Sequence, residues 1–368
     1  MKILHIINNL GSGGAEKLLE ESLPLFNKDN VNVELLLLSD KGNVFDKSLI
    51  ENNIKINVVP IRSLRNPLNI FYIRQYIVNG GYDIVHVHLF PSLYWTSLAS
   101  KIIFNNKPKF VFTEHSTRNR RMDNFLFKFI EKFIYSSFDK IILISEEIKE
   151  NIVNWLNIKN KVLIIENGIN LERFISAEPY CKNQIMDSLK ESDRLVCMVG
   201  RFSPAKDQLT IIRAIKSLPN NIHLLLIGEG ELMQKNKDLA KELGVSDRVH
   251  FLGFRNDIER IFKTSDIIVL SSNWEGFGLV AVEGMATNKP VIASDVPGLR
   301  DVVDEAGLLF KKGDDKELAK IIQKLLSNNL EYERVSKLCF ERSKMFDIKK
   351  VVKEYENLYK ELLTNKKL

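Results

Sequence analysis

A chain of 368 residues is longer than one ordinary open-sheet core and implies two domains of ~100–200 residues. Its 45% hydrophobic and 27% charged content excludes a largely disordered protein. The net charge of +6 is divided evenly between residues 1–172 and the remainder, so no basic arm marks a nucleic-acid protein and no such partner is expected.

The chain opens on a strand pattern, Lys2-Ile3-Leu4-His5-Ile6-Ile7, without the apolar stretch and cleavage site of a signal peptide. Further strands are predicted at 32–38, 55–59, 83–87, 109–113, 140–144 and 162–165, with helices at 15–26, 67–79, 91–104 and 123–136. After Asn167-Gly168-Ile169-Asn170 comes a polar, aperiodic stretch with Pro179, read as an interdomain linker. A second series then opens, with strands at 194–199, 222–227, 249–253, 267–271 and 290–294. Its helices fall near 207–217, 231–243, 257–263, 279–287 and 315–327, and the tail 347–363 carries Val351, Tyr355, Leu358 and Leu362 on one helical stripe. Two runs of buried strands alternating with helices predict an α/β protein with two separate parallel sheets. The domains expected are 1–172 and 173–346.

No window reaches ~18 uninterrupted apolar residues, so no membrane span is expected. Cys181, Cys197 and Cys339 lie far apart with no metal spacing and read as incidental thiols of a reducing compartment. The expected location is the cytoplasm, with membrane contact at most peripheral.

In open α/β sheets, ligands bind beyond the carboxyl ends of the strands, and the unusual residues of this chain fall there. Gly11-Ser12-Gly13-Gly14 follows the first strand and opens a helix, where glycines admit close backbone approach and unpaired N–H groups meet an anion. The same loop also reads as a plain tight turn. Gly200-Arg201-Phe202-Ser203-Pro204-Ala205-Lys206 follows the first strand of the second series, and Arg201 and Lys206 are placed to neutralise a diphosphate, or else are ordinary surface charges. Glu275-Gly276-Phe277-Gly278-Leu279 leads into a helix that carries Glu283, putting two carboxylates near one helix N-terminus. His115 ends another strand, where an imidazole can donate to a substrate hydroxyl. His86 and His88 share a strand face, but with no third ligand apparent they read as structural rather than metal-binding. The chain contains no Asp-x-Asp, so no metal and no bound cofactor are expected.

Together these segments resemble the retaining glycosyltransferases of the GT-B fold, in particular the large bacterial family 4 of surface-polysaccharide synthesis. The most specific match is Glu275 to Glu283, which looks like that family's E-x7-E motif. The resemblance implies two Rossmann-like domains facing each other across a cleft, with the C-terminal helix returning to the first. It implies that Arg201 and Lys206 hold the diphosphate of a nucleotide-sugar donor, helped by backbone N–H groups of Gly13, Gly14, Phe277, Gly278 and Leu279. Glu283 would accept from the ribose hydroxyls, Glu275 would contact the transferred sugar, and His115 would hydrogen-bond it near the reaction centre. Gly228-Glu229-Gly230 and Leu252-Gly253-Phe254-Arg255 would border the base. The donor expected is a UDP-sugar, GDP being next, and the acceptor a glycan or a polyprenyl-linked oligosaccharide.

Residues 117–135 bear on the acceptor: Arg118, Arg120 and Arg121 precede Phe125, Phe127, Phe129 and Phe133. Such a segment either rests in an anionic membrane interface or buries its phenylalanines against the sheet with the arginines in water. Two rival functions share the architecture, a nucleotide-sugar epimerase and a non-catalytic sugar-nucleotide-binding subunit. A phosphorylase using pyridoxal phosphate fits less well, because no residue is marked as its Schiff-base lysine.

Overall fold

The computed structural model describes residues 1–26, 31–116 and 125–364. They form two compact units, one of residues 1–168 with the segment from Ile348, the other of residues 169–347.

The first unit is built on seven parallel strands: β1 (Lys2–Ile7), β2 (Asn32–Leu37), β3 (Lys55–Val58), β4 (Ile84–His88), β5 (Lys109–Glu114), β6 (Lys140–Leu143) and β7 (Val162–Ile164). Their order in the sheet is β3-β2-β1-β4-β5-β6-β7. Ile3, Leu4, Ile6 and Ile7 are fully buried, as expected of a strand covered by helices on both faces. The helix Gly14–Phe26 follows β1 and buries Leu18, Leu19, Leu23 and Phe26. Against it lies the C-terminal helix Ile348–Thr364, whose Val351, Val352, Tyr355, Leu358, Tyr359 and Leu362 join the same core cluster. Spacings of three and four put these side chains on one stripe, and each contributes on the order of 1.5–3 kcal/mol by leaving water. Gly168 sits where this helix begins; a Cβ there would lie 2.9 Å from the Ile348 backbone, so the close approach requires glycine.

The second unit has six parallel strands: β8 (Arg194–Val199), β9 (Ile222–Ile227), β10 (Val249–Gly253), β11 (Ile267–Leu270), β12 (Val291–Ser294) and β13 (Leu308–Phe310). Their order is β10-β9-β8-β11-β12-β13. Side-chain caps set helix starts here: Asp314 accepts from the Glu317 N–H at 2.9 Å, and Asn328 from that of Glu331 at 3.1 Å.

All twelve strands expected from the sequence form, within one or two residues of their predicted bounds. The unanticipated elements are β13 and, among others, the helices Asp46–Glu51, Glu146–Leu156 and Asn329–Ser343. β13 has three residues, too few to show a period. The helix Asn329–Ser343 buries only Val335, Ser336, Cys339 and Ser343, so it carries no continuous apolar stripe.

In each sheet the strand order reverses once, between β1 and β4 in the first unit and between β8 and β11 in the second. Loops leaving two such strands diverge and open a crevice at their carboxyl ends.

Candidate active site

In the second unit the loops after β8 and β11 are tied together at the switch point. The Asn273 N–H donates to the Ala205 carbonyl at 2.7 Å, and its side-chain amide to the Pro204 carbonyl at 2.8 Å. The Ser271 hydroxyl donates to the Asp207 carbonyl at 2.8 Å. A third loop is added by glycine. Gly228 (φ +131°) and Gly230 (φ +154°) let the β9 loop pass so close that a Cβ on either would lie 2.4 Å from the carbonyl oxygen of Gly200 or Phe202. The Phe202 N–H completes the seam by donating to the Glu229 carbonyl at 3.0 Å.

This framework holds the charged groups. The Lys206 ammonium is ion-paired with Glu275, whose carboxylate also accepts from the Ser272 hydroxyl at 3.1 Å. Arg201 is exposed, and no carboxylate partner for it occurs among the described residues. Gly278 (φ +86°) turns the chain into the helix Leu279–Ala286. Phe277 is buried edge-on against Phe346, at 5.4 Å between centroids. The N–H groups of Phe277, Gly278 and Leu279 find no acceptor among the described residues, the usual condition of a helix start. Glu283 lies one turn further along that helix and is buried. Lys206 and Glu275, expected to contact different parts of one ligand, therefore meet each other directly.

In the first unit the switch point is closed by Asn8. Its amide donates to the Phe90 carbonyl at 2.7 Å and its oxygen accepts from the Ser92 hydroxyl at 2.8 Å. Gly13 and Gly14 stand at the start of the helix that follows β1. Between the two sides runs a group of imidazoles. His5 on β1 and His86 and His88 on β4 are fully buried, and His115, just past β5, is half-buried. His5 Nδ1 lies 3.0 Å from His88 Nε2, and His88 Nδ1 lies 3.2 Å from His115 Nε2. His86 stands apart from this row, with Nδ1 2.6 Å from the Tyr359 hydroxyl and Nε2 2.6 Å from that of Thr113. Burial lowers the pKa of all four, to about 3 for His5 and about 4 for His115, so they are neutral near pH 7.

His86 and His88 thus have the third imidazole that the sequence does not reveal. One nitrogen from each of His5, His86 and His88 falls within 4.8 Å of the others. The His86 nitrogens are nevertheless both engaged, as are those of His88, with His5 and His115, so hydrogen bonds tie the cluster together and leave only His5 Nε2 over among its three rings.

Family models match both parts of the chain: glycosyltransferase family 4 over residues 12–173, and glycosyl transferases group 1 over residues 182–339. A putative glycosyltransferase of Bacillus subtilis, EpsD, is 30% identical over 73% of this chain and 74% of its own. The chain belongs to the family 4 glycosyltransferases. A galactosyltransferase of Escherichia coli, named for UDP-Gal and α-D-GlcNAc-diphosphoundecaprenol, is 26% identical to this glycosyltransferase over 100% of the chain and 98% of its own. The fold is GT-B: the Anabaena Alr3699/HepE structure in complex with UDP and glucose superposes with a TM-score of 0.85 at 21% identity, over 98% of this chain and 100% of that one.

Membership in this family sets aside the epimerase and non-catalytic readings. It leaves the residues that sequence reasoning passed over: His5 and Tyr359 behind the histidines, and Ser272 behind Glu275. None carries a motif. A register that pairs His5 with His86 across β1 and β4 is visible only once strand order is known. Arg118, Arg120 and Arg121 lie outside the described residues. The helix Phe125–Tyr135 that follows exposes Phe127, Phe129, Ile130 and Phe133, and does not bury them against the sheet.

Proposed function

We propose that this glycosyltransferase moves a hexose or N-acetylhexosamine from a UDP-sugar to a polyprenyl-linked or glycan acceptor in surface-polysaccharide synthesis, with retention at the anomeric carbon and without a metal. The observation that carries the donor assignment is the stitched pair of loops after β8 and β11. They bring Arg201, Lys206, Glu275 and an unpartnered helix start to one switch point. When the bond from the anomeric carbon to the diphosphate breaks, negative charge grows on the leaving phosphate. Arg201, Lys206 and the N–H groups of Phe277, Gly278 and Leu279 are fixed donors suited to that charge. The acceptor hydroxyl forms the new bond to the anomeric carbon and gives up its proton, for which the departing phosphate is the available base. Glu283 takes the ribose hydroxyls and Glu275 the transferred sugar; Gly13, Gly14 and His115 of the first unit serve the same transfer.

The names of the relatives support the substrates: the Escherichia coli protein uses UDP-Gal and a diphosphoundecaprenol acceptor, and the Anabaena complex holds UDP. A lipid-linked acceptor calls for contact with the cytoplasmic face of a membrane. No helix among the described residues is long and apolar enough to cross one. Phe127, Phe129, Ile130 and Phe133, interleaved with Lys128 and Lys132, suit peripheral contact with an anionic surface.

Thermal unfolding with UDP, GDP, ADP and CMP tests the donor site. At 100 times its dissociation constant a nucleotide adds ~2.7 kcal/mol of stability. UDP is expected to protect the protein and to lose that effect in Arg201→Ala and in Glu283→Ala. Protection by none of the four would overturn the donor site, and protection by GDP alone would overturn the base. Turnover that persists in EDTA, and a product keeping the donor's anomeric configuration by NMR, are expected for the metal-free, retaining reaction.

A further inference from the structure

The three imidazoles His5, His88 and His115 form a row that joins two orphaned nitrogens. His5 Nε2 at one end and His115 Nδ1 at the other are buried, and neither has a hydrogen-bond partner among the described residues. Between them stand two N···N contacts of 3.0 and 3.2 Å. A neutral imidazole carries one N–H and one lone pair, so each ring that accepts at one nitrogen must donate at the other. The row therefore has two self-consistent states. In one, every ring is protonated at Nε2, which leaves a bare N–H at His5 and a lone pair at His115. In the other, every ring is protonated at Nδ1, which leaves a lone pair at His5 and an N–H at His115.

Burial distinguishes the two. Orphaned buried N–H groups are rarer in proteins than under-satisfied acceptors. The His5 ring is only 1% exposed and stands among Phe26, His86 and His88. His86 cannot relieve it, since its nitrogens are engaged with Tyr359 and Thr113. His115 Nδ1 is shielded as well, but its residue is only half-buried and stands at the carboxyl end of the sheet, the side on which ligands of such folds bind, so a ligand hydroxyl can relieve its N–H where none can reach His5. We infer that His88 and His5 are positioning residues that fix the tautomer of His115, holding it protonated at Nδ1 as a hydrogen-bond donor. The low pKa values of these rings support this, because a second proton on any of them would break the one-way order. The functional meaning rests on the role proposed above for His115, but the row itself does not.

The test is a long-range 1H–15N spectrum of the 15N-labelled full chain at pH 7, which reports which nitrogen of each ring is protonated. His5, His88 and His115 are expected in the Nδ1–H form. In His5→Phe the donor to His88 is gone, and His115 is expected to become a mixture of both tautomers. In His5→Asn an amide N–H replaces Nδ1–H, and the single form is expected to return. An Nε2–H His115 in the unaltered protein, or a His115 unchanged in folded His5→Phe, would overturn the inference. Ring signals of His5, His86 and His88 that change on adding EDTA would also overturn it, by showing a metal in place of the hydrogen bonds. Should His5→Phe fail to fold, the tautomers of the unaltered chain still decide. Loss of turnover in His115→Ala tests the role of that residue separately.

Discussion

The six histidines share one electrostatic condition: burial pulls each below the ordinary value near 6.5. Folding therefore excludes protons that the unfolded chain binds. Stability should be full above pH 6.5 and fall as the pH drops toward about 4, the value for His115, and about 3, that for His5. At pH 5 each of these two rings costs about 2 kcal/mol relative to pH 7. Paired carboxylates do not confuse the result, since Asp257, held at about 2 by Arg255, is still ionised at pH 5. The urea midpoint should fall clearly between pH 7 and pH 5, and an unchanged midpoint would mean that the histidines are not buried as described. Legibility at this scale is uneven. Arg201, Lys206, Glu275 and Glu283 are conspicuous in sequence because they follow strands beside glycines. That Lys206 rests on Glu275 is not, because a contact across two loops has no sequence period. His5 is hidden for the same reason: within its strand it reads as one more buried position.

Among the elements, the β9 loop has the narrowest tolerance. Gly230→Ala places a methyl group 2.4 Å from the Phe202 carbonyl oxygen, at a φ that other residues avoid. Strain and overpacking together should cost at least about 2 kcal/mol. Because this loop props the one carrying Arg201, UDP protection should weaken in parallel; an alanine variant of full stability and unchanged protection would separate the two loops. The helix Phe125–Tyr135 makes a different prediction. Phe129→Ser with Phe133→Ser should lower cosedimentation with anionic vesicles while leaving the thermal midpoint nearly unchanged, as both rings are exposed. Equal sedimentation of the two proteins would remove the membrane proposal. The amphipathic pattern of this helix is plain in the sequence. Which way its aromatic face points is not, since an apolar stripe that covers a sheet and one that covers a lipid surface look alike.

For the molecule as a whole, the succession of strands and helices is readable because parallel strands buried on both faces form continuous apolar runs. The order of strands within each sheet carries no such mark. The stripe of the last helix is equally legible, while its bond from Tyr359 to His86 is not. Deleting residues 348–368 removes seven buried apolar side chains from the first core, a loss of roughly 10 kcal/mol and comparable to the stability of an entire domain. Hydrogen exchange should then show β1 and β2 unprotected and β8 to β12 nearly unchanged. Protection kept throughout would mean that the first core does not need the helix.

That helix also dictates an order of events at the ribosome. The first unit is interrupted by all of residues 169–347, so its last component leaves the exit tunnel only after the second unit has been made. At ordinary rates of elongation the delay is roughly 10–40 s. Through that interval Phe26 and His86 await the tyrosines that cover them, and a nascent chain holds one finished module beside one with an open flank. Newly made copies, more than mature ones, are where this enzyme will need chaperones.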